Sequence, residues 1–287
     1  TFRTNSVRSK IIMKRLIYSI IFVLSGVSAQ GVVTQLDKGS INYSDQSISA
    51  VGIGFVPSNA VNAGMARRMA LRIAKQDAMR QLIEIVNGVT LTSETTMSGA
   101  MVDDVISTKV QGFIRGARPV GQPKYLSDTS VEMEYSVPMS GISDIVLPPV
   151  TVPLATSPAA NNQGTAPTTN TTQAGGVTGI IIDARGLKAR PAMAPRILDQ
   201  NGNAIYGPGK YSRKYAVENG VAGYSKTLEA AQQDQRVVGN PMVVKGVGTS
   251  GTNRTDITIS NADVSKIDTA NRNYKVLNDC RVLILID

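Results

Sequence analysis

An α+β fold of two small domains is predicted, the first a long helix packed on an antiparallel sheet. Three observations predict it. An alanine-rich stretch of helical period, residues 60–86, lies between strand-like segments at 48–56 and 130–137. A stretch rich in Pro, Thr and Asn, residues 148–176, carries no charge. Beyond it, short apolar runs open and close the second half, VTGIIIDA at 177–184 and RVLILID at 281–287. The composition agrees with a globular chain: 287 residues, 42% hydrophobic, 18% charged. There is no histidine and one cysteine, Cys280, which excludes imidazole catalysis, imidazole metal ligation and an internal disulfide. Tryptophan is absent and aromatics make up 5%, so stacking surfaces for bases are scarce.

The elements follow in order. Met13-Lys14-Arg15, the apolar run Leu16–Leu24 and the small residues Val27 and Ala29 read as a signal peptide, cleaved between Ala29 and Gln30. An uncleaved anchor is the other reading. Residues 1–12 read as sequence upstream of a better start at Met13. No cysteine stands at the cleavage point, so no lipid anchor is expected. Five of the 30 basic residues fall in 1–29 with no acid beside them, which leaves the rest of the chain at only +4. That is too little charge for a nucleic-acid footprint.

In the domain expected at 31–147, Ile48–Val56 reads as a strand and Ala60–Val86 as the long helix. Ala66, Ala70 and Ala74 suit close packing on a sheet, and Gly52-Ile53-Gly54 suits close strand–helix approach. Asn87-Gly88 should end the helix, with Gly88 left-handed. Val89–Thr95 and Phe113–Val120 read as strands, with a short helix near Val102–Ser107. Ser130–Val137 alternates cleanly. Residues 148–176 should form a disordered linker, because such a composition cannot bury enough surface to offset its ordering entropy. In the domain expected at 177–287, Arg196–Tyr206 reads as a hairpin turning at Asn201-Gly202. Ser225–Gln235 and Ser260–Thr269 read as helices, the latter with a capping-box start. Pro241–Val247, Asp256–Ser260 and Arg281–Asp287 read as strands.

Several short signatures occur in order in the first domain: Ala66-Arg67-Arg68, Ala74-Lys75-Gln76-Asp77-Ala78, Val86-Asn87-Gly88-Val89, Ser93-Glu94-Thr95 and Val110–Ala117. Over about residues 49–139 the chain resembles the bacterial twenty-kilodalton lipoprotein (LPP-type) domain family, found in flagellar envelope proteins such as FlgP and FlgT. The resemblance implies a cell-envelope location, in the periplasm or at the outer membrane, and a structural or assembly role without catalysis. Its implied partners are other envelope proteins, a second copy of the chain included. Many relatives carry a lipid-anchor cysteine and this chain does not.

Candidate sites are few. The densest polar cluster of the second half is Asp183, Arg185 and Arg190, in a loop after a strand. An ion pair of Asp183 with Arg185 or Arg190 that fixes the turn is one reading. A grip on an anionic ligand such as a cell-wall glycan is the other, and it would make the chain a periplasmic binding module. Gly246-Val-Gly248-Thr-Ser-Gly251 matches a dinucleotide-binding pattern, but a strand-like stretch follows where a helix is needed, so a hairpin loop is expected. Asp183 and Asp287 both end apolar strands. Cys280 reads as a small core or edge residue, since no histidine can activate it. No catalytic residue, metal or cofactor is expected, and no nucleic-acid partner.

Overall fold

A computed structural model describes residues 31–147 and 176–287. The signal segment with Ala29 and Gln30, and nearly all of the expected linker, lie outside the described residues. The two sheets belong to one unit, Gly31–Asp287, and the α+β expectation of two halves with a sheet each holds.

The first sheet is antiparallel throughout, in the order β1-β2-β3-β5-β4. Its strands are β1 (Val33–Leu36), β2 (Gly39–Asn42), β3 (Ser47–Gly54), β4 (Arg118–Tyr125) and β5 (Val131–Pro138). The β1–β2 hairpin has too little apolar contrast to be legible in the sequence. In β3, Ile48, Ala50, Gly52 and Gly54 alternate toward one buried face. Across that face lies α1 (Ala63–Gly88), capped by the Asn62 side chain, which accepts from the Met65 amide. A methyl group at Gly52 would strike the Ala74 carbonyl and Ala78, and one at Gly54 would strike the Ala70 carbonyl and the Ala74 amide. Two glycines facing three buried alanines therefore let the helix backbone rest on the strand. Alanines bury little area, so the apolar gain sits in the second half of α1. There Leu82, Ile85 and Val86 are buried, each worth up to about 1.5–3 kcal/mol of transfer free energy.

Three sequence expectations change here. Gly88 is the last helical residue and is not left-handed; the chain leaves through Val89 in extended conformation. Val89–Thr95 is not a sheet strand: it makes one isolated bridge, Thr90 to Thr96. Its backbone is instead claimed by the other half. The Thr90 carbonyl accepts from Met193, that of Leu91 from Ala194, and that of Ser93 from Asn253. The segment expected to be strand from Phe113 is helical at its start. After the short α2 (Met97–Ala100), α3 (Asp104–Ile114) begins at Asp103, whose carboxylate accepts from the Val105 and Ile106 amides. Phe113 stays helical because its ring seats against Gly141 of α4 (Met139–Val146), where no Cβ could fit. The β4 edge is exposed along most of its length. Pro119, Pro123 and a register break between Val120 and Lys124 blunt it against pairing with another strand.

The second sheet has seven strands in the order β8-β7-β11-β10-β6-β12-β9. They are β6 (Ile180–Asp183), β7 (Ile197–Leu198), β8 (Ala204–Tyr206), β9 (Gly223–Ser225), β10 (Met242–Ser250), β11 (Asp256–Ile259) and β12 (Val282–Leu285). Strands β10, β6, β12 and β9 run parallel, and β11 is antiparallel to β10. Parallel central strands are covered on both faces, which is why Ile180–Ile182 and all of β12 are buried without alternation. The Asn201-Gly202 hairpin forms, with Gly202 at φ 85°. Helices α5 (Arg213–Asn219), α6 (Leu228–Gln233) and α7 (Asn261–Tyr274) complete the half. Ser260 caps α7 by accepting from the Asp263 amide. The Gly246–Gly251 stretch runs up β10 into a turn and returns as β11, with no helix behind it.

Candidate ligand cleft and the Asp183 loop

Asp183 ends β6 at the carboxyl edge of the parallel strands, where ligands of open α/β sheets often sit. Its neighbour in register on β10 is Lys245, and on β12 Leu285. Arg185 folds back on it: Nε and Nη2 donate to the two carboxylate oxygens at 2.8 and 2.7 Å, and the Arg185 amide adds a third bond at 3.2 Å. This bidentate grip holds the Asp183 carboxyl below its usual range. Gly186, at φ 78°, then points its amide at both carboxylate oxygens of Asp287, 3.0 and 3.1 Å away. The two strand-ending aspartates thus close one turn. Of the two arginines considered for the turn-fixing ion pair, Arg185 makes it.

Arg190 goes elsewhere. After Leu187 the chain leaves the sheet edge, the Arg190 amide donates to the Arg254 carbonyl at 3.0 Å, and the residue lines a cleft that neither Asp183 nor Arg185 lines. The cleft has a volume of about 840 Å³, within the range of small-molecule sites. It lies where the two halves meet. The β1–β2 hairpin and the last turns of α1 form one wall, and Arg190, Pro191 and Asn253 form the other.

The first wall carries its own charge network. Arg80 bonds to Asp77 and to Glu84, each at 2.8 Å. Buried Gln81 joins them. With its amide oxygen turned to the cations, it accepts from Lys38 Nζ at 3.3 Å and from Arg80 at 2.6 Å, while its nitrogen donates to Glu84 at 3.1 Å. Burial by itself would raise Asp77, but bonds from the Ile53 amide and from Arg80 outweigh it and hold the carboxyl low. Tyr43 forms part of the floor. Burial pushes its hydroxyl up to about 12, with the charge of Arg190 pulling the other way. Arg190 itself is exposed, and among the described residues no carboxylate lies within 4.0 Å of it.

Beside the cleft the halves are locked. Asp256, fully buried, accepts from Ser93 Oγ at 2.6 Å and from Arg196 Nε at 2.7 Å, and Arg196 Nη2 donates to Ser93 Oγ at 2.9 Å. Asn253 Nδ2 donates to the Thr92 carbonyl at 3.2 Å. Sequence reasoning missed Lys38, Arg80, Gln81 and Asn253 as cleft residues. The only local signal was the i,i+4 spacing of Arg80 and Glu84, which reads as an ordinary solvated helix pair. Cys280 is 1% exposed and its thiol is pushed up by burial, as a core residue's would be.

Fold and site together define a class: a two-sheet α+β chain with a polar cleft, lined by cations (Lys38, Arg80, Arg190) and carboxylates (Asp37, Glu84), where its halves meet. No described helix is long and apolar enough to cross a membrane. Residues 179–287 match the family model described as Treponema pallidum Tp0624, second domain, which covers the second half and less than half of the chain. No curated protein matches the chain. The family found is therefore not the lipoprotein-type domain of flagellar proteins, and the resemblance drawn over residues 49–139 is corrected. The signatures behind it have a local cause: the alanine spacing follows from the Gly52 and Gly54 contacts, and Ser93-Glu94-Thr95 belongs to the junction with the second half. Flagellar work was expected from that resemblance alone and loses its warrant with it.

Proposed function

We propose that the chain is an exported, non-enzymatic envelope protein that works by binding, with the junction cleft as the site for an anionic ligand of the cell-wall glycan class. The observation that carries this is Arg190. It enters a cleft of about 840 Å³ with no carboxylate partner among the described residues, whereas Arg80 on the facing wall is taken up by Asp77 and Glu84. Threonine and asparagine side chains around it (Thr90, Thr96, Asn253) suit sugar hydroxyls, and one unpaired guanidinium suits a sugar carboxylate. Export is supported by the Met13–Ala29 pattern.

The test is calorimetric titration of soluble, muramic-acid-containing glycan fragments into wild type, Arg190→Ala and Arg185→Ala, with a melting curve on each. A charge-assisted hydrogen bond is worth about 1.5–3 kcal/mol, or roughly 10- to 150-fold in affinity. Arg190→Ala should lose that much with an unchanged melt, and Arg185→Ala much less. Absence of saturable binding by wild type would sink the reading and favour the assembly role, in which broad surface contacts carry the function.

A further inference from the structure

The other end of α1 carries a second surface. Strand β3 runs out at Gly54 into Phe55, 61% exposed, and the connection to α1 passes through Val61, 84% exposed. Two strands across, β4 ends at Tyr125, 55% exposed, followed by exposed Leu126. The register sets Gly54 and Tyr125 on either side of Val131, so these side chains crown one end of the sheet. The first turns of α1 overhang the same end. The Arg67 guanidinium lies 5.2 Å from the centre of the Tyr125 ring. Arg67, Arg68, Arg72 and Lys75 are all exposed, and no carboxylate lies within 4.0 Å of any of them among the described residues. The only acids of α1, Asp77 and Glu84, are both held by Arg80. Asp128, in the turn after Leu126, is directed to the Ser130 amide and hydroxyl.

We propose that this end seats the protein on a bilayer surface rich in anionic phospholipid. Charge complementarity selects the occupant. Four unpaired cations alone would be a solvated helix face, and exposed apolar side chains alone would select no charge. Together they make an interfacial anchor, with rings and aliphatic side chains entering the headgroup layer and guanidinium groups meeting phosphates. A nucleic-acid backbone would use the cations and leave Phe55, Val61 and Leu126 in water. The cleft begins at Arg80 and Gln81 and extends past Glu84. At about 1.5 Å per residue Arg68 and Arg72 lie about 18 and 12 Å from Arg80 along α1, so changing these two leaves the cleft's own side chains in place.

The experiment is co-sedimentation of the chain from Gly31 onward with vesicles of phosphatidylcholine alone, and with phosphatidylglycerol added in equal part. That chain holds every described element and omits the Leu16–Leu24 run, which would itself partition into lipid. One cation near an anionic surface is worth about 1 kcal/mol, or roughly five-fold. Arg68→Gln with Arg72→Gln should therefore weaken binding to anionic vesicles about 25-fold without moving the melt, since both residues are exposed. Phe55→Ser should weaken it further, high salt should release the protein, and Arg190→Ala should leave it unchanged. Equal binding to both vesicle types, or an unaltered double variant, overturns the proposal. Absence of vesicle binding also overturns it and assigns the surface to an acidic protein partner.

Discussion

Ser93 Oγ donates a 2.6 Å hydrogen bond to the carboxylate of Asp256, a fully buried group 163 residues further along the chain. Arg196 completes the contact by bonding to both. A buried carboxylate needs such partners, because desolvating it without them is costly. The triad therefore ties the stability of each half to the other.

Asp256→Ala should destabilise the protein by about 3 kcal/mol. That is the low end for breaking a buried pair, because Arg196 keeps 35% of its side chain in solvent. Ser93→Ala should cost about 1 kcal/mol. Urea unfolding measures both. A loss under about 1 kcal/mol for Asp256→Ala would show that the junction does not stabilise the fold.

Gly52→Ala and Gly54→Ala should each cost about 1–3 kcal/mol, since the added methyl meets the backbone of α1 and the helix must lift. Gly248→Ala, on β10 with open space around it and no positive φ, should be neutral or stabilising by up to about 1 kcal/mol. Thermal melts of the three variants decide the matter. Equal effects at Gly52 and Gly248 would mean that strand–helix closeness is not what selects glycine.

Acid should weaken the fold through Asp77 and Asp183, whose folded-state values are depressed. A depressed carboxyl contributes stability that is present above its unfolded value, about 3.9, and is lost as pH falls through the folded value. The gap in urea midpoint between wild type and Asp77→Asn should therefore be full near about pH 6 and shrink below about pH 4. A gap that stays constant into acid would argue against an ionised Asp77 in the native protein.

Cys280 should label slowly. Burial both hides the thiol and pushes it up, and only the thiolate reacts. The rate of reaction with a disulfide reagent should rise with denaturant along the global unfolding curve. Rapid labelling in native buffer would place Cys280 in a locally opening segment.

Much of the local structure was written in the sequence. The spacing of Ala66, Ala70 and Ala74, and Gly52-Ile53-Gly54 before them, encode the long helix and its closeness to β3. The alternation of β5, the Asn201-Gly202 turn and the Ser260 cap were also legible, because each is a period or a dihedral preference spanning a few residues. Only the tertiary structure decided what those elements meet. Val89–Thr95 has the composition of a strand, yet its carbonyls bond to Met193, Ala194 and Asn253, partners about a hundred or more residues away. Arg185 and Arg190 are five residues apart, yet one closes the turn on Asp183 and the other lines the cleft that Gln81 and Lys38 also line. Local propensity sets how the backbone runs. Which carboxylate an arginine reaches depends on the path of the loop between them, and that path follows from where the two halves are joined, at Ser93, Arg196 and Asp256.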